Sequence, residues 1–428
     1  MFQVKERSTI SSALVAIALS IGISLVTRPA GISGQTAGVT VFQGARLIVG
    51  SGDAPIENAA FVVENARFTQ VGRADQIKVP SGASRVDLTA KTVIPAIIDT
   101  HTHLATTREA LVDQLQGKAY YGVGLAMSLG TDPGDLAFEV RNETIPNAAR
   151  MRTAGRGITM PEPGRTDVPY WITTEAEARK AVQELAARKV DLVKIWVDDR
   201  DGKYKKMTPA LYGAVIDEAH KHKLRVTAHI FALEDAKGLL RAGVDAFAHS
   251  VRDQDVDQEF MDLMKQRPNV VLVPNLPDRG VATDLSWLAE TVGPDELKKL
   301  QAAATDRPAA QKTFGIQARN LAKLNAAGVK IALGTDGGIV WSHHLEMADM
   351  VAAGMSPAQV ITASTGNAAE FLRLSDQGTV QTGKSADFVV LDANPLDDIA
   401  NTRRISAVYL RGTAVDRAAL RKRWTGTK

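Results

Sequence analysis

VIPAIIDTHTHL, residues 93–104, is the stretch on which the reading of the whole chain turns. Its first half is apolar and β-branched, the composition of a buried strand, and its second half ends in two histidines one residue apart. Residues i and i+2 of a regular strand share a face, so His101 and His103 can reach one ion together. Alone the pair means little, because an imidazole at a strand end is more often a satisfied core or rim residue. What matters is whether the rest of the chain brings other ligating groups to the same place.

Outward from this strand, residues 95–374 alternate short apolar runs with helical patterns. VIPAII, GVGLAMS, ARMRTA, DLVKIWV, RVTAHI, DAFAHS, NVVLVPN and VKIALGT read as strands. TTEAEARKAVQELAARK places Ala178, Val182 and Leu185 at helical spacing, and Thr174 with Glu177 three residues on is a capping box. TPALYGAVIDEAHKHK and EDAKGLLRAG read as helices in the same way. Strands alternating with helices imply a parallel sheet, and eight is the number that closes a barrel. The rival, an open doubly wound sheet, lacks a glycine-rich phosphate fingerprint after its first strand. The expected fold is therefore α/β, a (β/α)8 TIM-like barrel over residues 95–374. VTVFQGARLIVGSG, AAFVVENARFTQVG and SRVDLTAKTVIP before it, and GTVQTGKSADFVVLDANP and ISAVYLRGTAVD after it, are β-rich and broken by Gly, Pro and Asn. They predict a small β-sandwich domain built from both chain ends, residues 38–94 plus 375–428.

The 428 residues are 45% hydrophobic and 23% charged, which excludes disordered and collagen-like chains. Of the net charge of +3, Lys5, Glu6, Arg7 and Arg28 supply +2, so the body carries no basic field for nucleic acid. There is no cysteine, which removes disulfides and thiolate ligands and leaves nitrogen and oxygen to hold any metal. Lys5 and Arg7 precede ALVAIALSIGISLV, residues 13–26, an uncharged run short of the ~20 apolar residues a spanning helix needs. Residues 1–30 therefore read as a signal peptide, removed between Ala30 and Gly38, although neither Ala30 nor Ala37 closes an A-x-A site. The expected location is periplasmic or secreted. An uncleaved leader would act as an N-terminal anchor and is the one membrane contact expected.

The polar residues of the central region fall at the ends of its strands. His101 and His103 follow the first, Lys194 lies within DLVKIWV, His229 ends VTAH, His249 ends AFAH and Asp336 ends IALGTD. In a barrel of this type, chemistry is assembled at the C-terminal rim from several strands. Of the eight histidines, His220 and His222 lie instead on a helix pattern and His343 and His344 in a loop. Each site residue alone has an ordinary explanation: a strand lysine snorkels, and Asp in GTDGG is a turn residue. Their convergence at one mouth is not something packing requires.

IIDTHTH, the strand Lys194, His229, His249 and LGTD, in this order, resemble the amidohydrolase superfamily of metal-dependent hydrolases, nearest its imidazolonepropionase-like and prolidase-like members. MSPAQVITASTGNAAEFLRLSDQGTVQTGKSADFVVLDANPLDDI is similar to the segment with which many members leave the barrel for their β-sandwich. Together these cover nearly the whole chain after the leader. The resemblance implies a binuclear centre, with His101, His103 and Asp336 on one ion and His229 and His249 on the other. Lys194 would bridge them as its N-carboxylated form, which burial in an apolar strand favours by keeping the amine neutral. Zinc suits this mixed imidazole and carboxylate shell, with Mn, Co and Fe as alternatives. The reaction implied is hydrolysis of a carbon–nitrogen bond by a metal-activated hydroxide, with Asp336 as proton shuttle.

The substrate is a small molecule, and the loops that choose it are less legible. Arg252 in HSVRD, Asn275 and Arg279 in PNLPDRG, and Trp341 and His343 after Asp336 are the candidate contacts. An arginine near the metals can hold a carboxylate bidentately; it can equally pair with Asp253 or Asp278. Ile230 and Phe231 stand where several members of the superfamily carry a polar residue, which argues for an apolar substrate wall. N-acyl amino acids, dipeptides and cyclic amides are the expected substrates. Ester, lactone or organophosphate hydrolysis on the same metals is the alternative, and a non-catalytic binding protein the minor one. Nothing in the sequence decides between a monomer and a homo-oligomer.

Overall fold

A computed structural model describes residues 38–426. The leader read from residues 1–30 lies outside the described residues. The chain opens with β1 (Thr40–Leu47), β2 (Ile56–Glu64), β3 (Arg67–Arg73), β4 (Ser84–Asp87) and β5 (Thr92–Pro95). β1 pairs antiparallel with β2 through a bulge between Gln43 and Ala45. Gly44 supplies the left-handed conformation (φ +92°) that the bulge needs, and a Cβ there would sit 2.8 Å from Thr89 Oγ1.

After a single residue, Ala96, the chain enters the central region through β6 (Ile97–Thr102), β7 (Val123–Ser128) and β8 (Arg150–Thr153), a three-stranded parallel sheet. β9 (Ile158–Thr159), β10 (Tyr170–Trp171), β11 (Val193–Val197), β12 (Val226–Ile230), β13 (Ala246–Ala248), β14 (Val271–Val273) and β15 (Lys330–Ile331) form a second parallel sheet in the order β10-β9-β11-β12-β13-β14-β15. All eight apolar runs thus contain strands, and the VIPAII run is shared between β5 and β6. Backbone bonds join the two sheets on both sides. Thr100 N–H donates to Leu333 O at 3.0 Å and Asp336 N–H to His101 O at 2.8 Å, while Asp191 N–H donates to Thr153 O at 3.0 Å.

Helices cover these sheets with their apolar stripes. The helix Glu175–Ala187 begins at the Thr174–Glu177 capping box and buries Ala178, Ala181, Val182 and Leu185. Pro209–Lys221 and Leu233–Ala242 pack in sequence beside it. His343 and His344, read from the sequence as loop residues, instead open the helix His343–Ala352 and are fully buried in it. The surrounding Leu345, Met347 and Met350 give this segment a helical apolar face that the polar start WSHH conceals.

After the central region come β16 (Phe388–Leu391), β17 (Ile405–Leu410) and β18 (Thr413–Ala414), followed by the helix Arg417–Thr425. These three strands join the opening strands in one eight-stranded mixed sheet, ordered β18-β17-β16-β5-β1-β2-β3 with β4 beside β1. Three strands separate β3 from β16, which on a flat sheet would set them ~19 Å apart. Phe68 on β3 and Phe388 on β16 nevertheless have ring centroids 5.8 Å apart. The sheet therefore curls back on itself around an aromatic core of Phe42, Phe61, Phe68 and Phe388.

Candidate metal centre

The six ligand candidates reach the centre from five places in the parallel sheets. His101 and His103 lie at the end of β6, Lys194 inside β11 and His229 inside β12. His249 follows β13 directly, and Asp336 lies five residues beyond β15. His249, Asn275 and Asp336 all take left-handed backbone conformations, at φ of 75°, 43° and 53°. Side chains with a Cβ adopt this region reluctantly, and three such residues at neighbouring strand ends mark a site held by its surroundings.

Asp336 is the hub. Its Oδ1 lies 3.0 Å from His101 Nε2 and 3.1 Å from His103 Nε2, and its Oδ2 lies 3.2 Å from His249 Nε2. Lys194 Nζ is 3.3 Å from His101 Nε2. The His229 and His249 rings stand edge to face with centroids 4.6 Å apart. Ligand atoms of His101, His249 and Asp336 all fall within 4.8 Å of one another. Asp336 keeps 35% of its side chain exposed, the accessible edge of an otherwise buried cluster.

Hydrogen bonds behind the imidazoles set which nitrogen faces the centre. His101 Nδ1 donates to Asn275 Oδ1 at 2.8 Å, and His103 Nδ1 is 2.9 Å from Thr131 Oγ1. With its proton committed to Asn275, His101 presents the Nε2 lone pair inward. Burial pushes His101 down to about 4 and His229 and His249 well below the usual histidine range, so the rings are neutral at pH 7. Burial likewise brings Lys194 down to about 7. Burial opposes ionisation of Asp336, but the imidazoles of His101, His103 and His249 outweigh it and keep the group a carboxylate.

With their rings neutral, His101 and His249 turn ring nitrogens toward the Asp336 carboxylate at contact distance, a spacing that needs a proton or a metal cation between them. His249 Nε2 is also buried with no hydrogen-bond partner. Neutral imidazoles, a carboxylate and a neutral-prone amine form the donor set that a divalent ion such as zinc takes. The residues fit a metal.

Five further residues were expected to meet the substrate, and the structure divides them. Asn275 orients His101, and Arg252 lies beside the cluster, its charge acting on His229, His249 and Asp336. Arg279 instead lines an adjoining cavity of about 420 Å3 that also contains Thr335 and Ile339, with its Nε 3.4 Å from Asp349 Oδ1. Trp341 packs against Trp287 at 5.9 Å between centroids. His343 is fully buried with Nε2 2.9 Å from Tyr121 O. Both are buried, Trp341 in the turn before the helix His343–Ala352 and His343 in its first turn. Two residues that sequence pattern does not single out also meet the cluster: Asp198 Oδ2 and Arg200 Nη1 lie 2.9 and 3.0 Å from His229 Nε2. VDDRDGKY, which contains them, reads as an ordinary polar turn. Beneath the site, Asp99 accepts from Lys118 Nζ at 3.0 Å, Thr335 Oγ1 at 2.8 Å and Thr335 N–H at 3.1 Å, tying the β6 histidines to the Asp336 loop.

Residues 92–415 match the model of the amidohydrolase family, and the chain belongs to that family. The imidazolonepropionase of Deinococcus radiodurans is 27% identical over 83% of this chain and 92% of its own length. The ochratoxinase of Aspergillus niger is 26% identical over 89% of this chain and 87% of its own. A solved Xaa-Pro dipeptidase with methionine in its active site superposes with a TM-score of 0.71 at 22% identity, covering 88% of this chain and 99% of that one. The fold is a TIM-like barrel with an extra domain, and the chain is a hydrolase.

Proposed function

We propose that this amidohydrolase cleaves the carbon–nitrogen bond of a small-molecule amide at a binuclear centre on a closed barrel. The backbone bonds between the two parallel sheets support the closure. The observation that carries the reading is the Asp336 hub: one carboxylate in contact with three imidazole Nε2 atoms drawn from two strands. His101, His103 and Asp336 would hold one divalent ion and His229 and His249 the other. Two such ions, zinc by donor chemistry, would supply Lewis acidity to the substrate carbonyl and lower the pKa of water from about 15.7 to about 7. Lys194, whose buried strand favours the neutral amine that carbon dioxide adds to, would serve them as a bridging carbamate.

The protein's own groups then manage orientation and protons. Asn275 and Thr131 fix the imidazole tautomers. Asp336, the exposed edge of the cluster, takes the proton released by the attacking water on a carboxylate oxygen. It passes that proton to the departing nitrogen as the C–N bond breaks. Names of relatives point the same way, since an imidazolonepropionase, an ochratoxinase and a Xaa-Pro dipeptidase all stand beside this chain.

Metal analysis of the purified protein, coupled to a screen of amides, esters, lactones and phosphotriesters with and without chelator, tests the proposal. Amide turnover that chelator abolishes and zinc restores is expected. Turnover of esters or lactones alone would move the enzyme to the other hydrolase class, and a protein that binds no metal and gains no activity with zinc would remove the reading. The leader supports export, and N-terminal sequencing of the mature protein that began at Met1 would contradict its removal.

A further inference from the structure

Glu346 lies in the first turn of the helix His343–Ala352, buried and without an ion-pair partner among the described residues. Burial, with Asp349, Asp99 and Asp336 nearby, raises its acid well above the ordinary carboxylate range. Both of its carboxyl oxygens lie 3.1 Å from one donor, the backbone N–H of Leu276. Such donors are scarce in the loop PNLP, residues 274–277. Pro274 and Pro277 have no N–H, so only Asn275 and Leu276 can donate from its backbone. The helix that brings Glu346 there is pinned by the two histidines that take no part in the metal cluster. His343 Nε2 donates to Tyr121 O at 2.9 Å, and His344 Nδ1 lies 3.0 Å from Thr402 Oγ1.

The residue before Leu276 is the one that aims His101. Asn275 holds a left-handed backbone (φ 43°), and its Oδ1 accepts from His101 Nδ1 at 2.8 Å, while its Nδ2 is buried with no partner. The side-chain amide thus has a single anchor, and the backbone must supply the rest of its aim. Slack is small, since a Cβ on Gly334 would stand 2.9 Å from Asn275 Nδ2 and 2.8 Å from His101 Cβ. We propose that Glu346 is a positioning residue of the metal centre. By capturing the Leu276 N–H it holds Asn275 in its left-handed turn, and Asn275 in turn keeps His101 Nε2 facing the ion. The role calls for an oxygen acceptor of the right reach and not for a charge, which suits a buried acid.

This role rests on the metal-centre reading, and zinc affinity, measured on the full-length protein against a chelating dye, separates the two. E346Q keeps an oxygen of the same reach and should bind zinc as the wild type does. E346D, one methylene shorter, and E346L, which has no acceptor, should each bind roughly 10- to 100-fold more weakly. N275A/E346L should be no weaker than N275A alone, because both changes act on His101 through one amide. Independent losses would instead multiply to about 10²- to 10⁴-fold. Zinc affinity unchanged in E346D and E346L, even with a lowered urea midpoint, makes Glu346 a packing residue and overturns the proposal. So does an E346Q as weak as E346D, or a double variant in which the losses multiply. If E346L does not fold, E346D against E346Q decides alone. A wild-type protein that binds no zinc removes the metal centre and the role of Glu346 with it.

Discussion

Lys118 and Asp99 form an ion pair at 3.0 Å in which neither side chain has any exposure, and its two halves should not be equally expensive to lose. Asp99 has alternatives: Thr335 Oγ1 at 2.8 Å, Thr335 N–H at 3.1 Å and His101 N–H at 3.3 Å all donate to it. Lys118 Nζ bonds to Asp99 and to nothing else among the described residues. Breaking a buried pair from one side costs roughly 3–5 kcal/mol because a charge is left unpaired. K118M should sit near the lower bound, about 3 kcal/mol, since the carboxylate keeps three donors. D99A should sit near the upper bound, about 5 kcal/mol, because an ammonium is stranded in the core and Thr335 loses its acceptor. The double variant D99L/K118M, which removes both charges, should recover part of that loss and be more stable than D99A. Urea unfolding of full-length protein followed by tryptophan fluorescence reads all three, with chelator present throughout so that metal binding does not contribute. If K118M proves as damaging as D99A, or if the double variant is the worst of the three, the asymmetry argued from these hydrogen bonds is wrong.

Four other outcomes rest on the same structure. D336N should lower kcat by roughly 10²- to 10⁴-fold while the protein still binds metal, because the amide oxygen can ligate but cannot carry the proton; kcat measured beside metal content decides it, and full activity would refute the shuttle. N275A removes the acceptor for His101 Nδ1, and zinc affinity measured against a chelating dye should fall about 10- to 100-fold. G157A would place a Cβ 2.1 Å from Cζ3 of the buried Trp196, so the urea midpoint should drop by the equivalent of about 1–3 kcal/mol. Burial raises Asp349 to about 7 against the opposing charge of Arg279. The folded form thus holds that proton more tightly than the unfolded chain, and stability should fall as pH rises from about 4 to about 7. D349N should flatten that stretch of the stability–pH curve, and an unchanged slope would refute the assignment.

What the sequence makes legible here is whatever depends on local pattern. His101, His103, Lys194, His229, His249 and Asp336 stand out because each punctuates an apolar run, and the parallel-sheet topology then carries them to one mouth. Asp198 and Arg200 do not stand out, because a charged turn looks the same whether it is solvated or folded over a histidine. Lys118 in REALVDQLQGKAY is one cation on a helix, and only the tertiary structure shows that it points at Asp99. The polar start of their segment hides the helical burial of His343 and His344, and nearness in sequence to Asp336 says nothing of how deeply His343 and Trp341 are packed. Arg279, equally near in sequence to Asn275, lines the adjoining cavity.

The join at Ala96 has a consequence for the order in which this protein can be built. β5 runs into β6 across that single residue, and along the edge away from β1 β5 is paired with β16, residues 388–391. The strand that presents the first two ligands is thus anchored by a segment made only after the whole central region. His101 and His103 must wait, their strand half-supported, until β16 arrives. Contacts so distant in sequence make for slow, late assembly. A chain truncated before residue 388 would hold all six ligand residues and still lack the anchor of the strand that bears two of them, so a partial product should not mature into a competing metal trap.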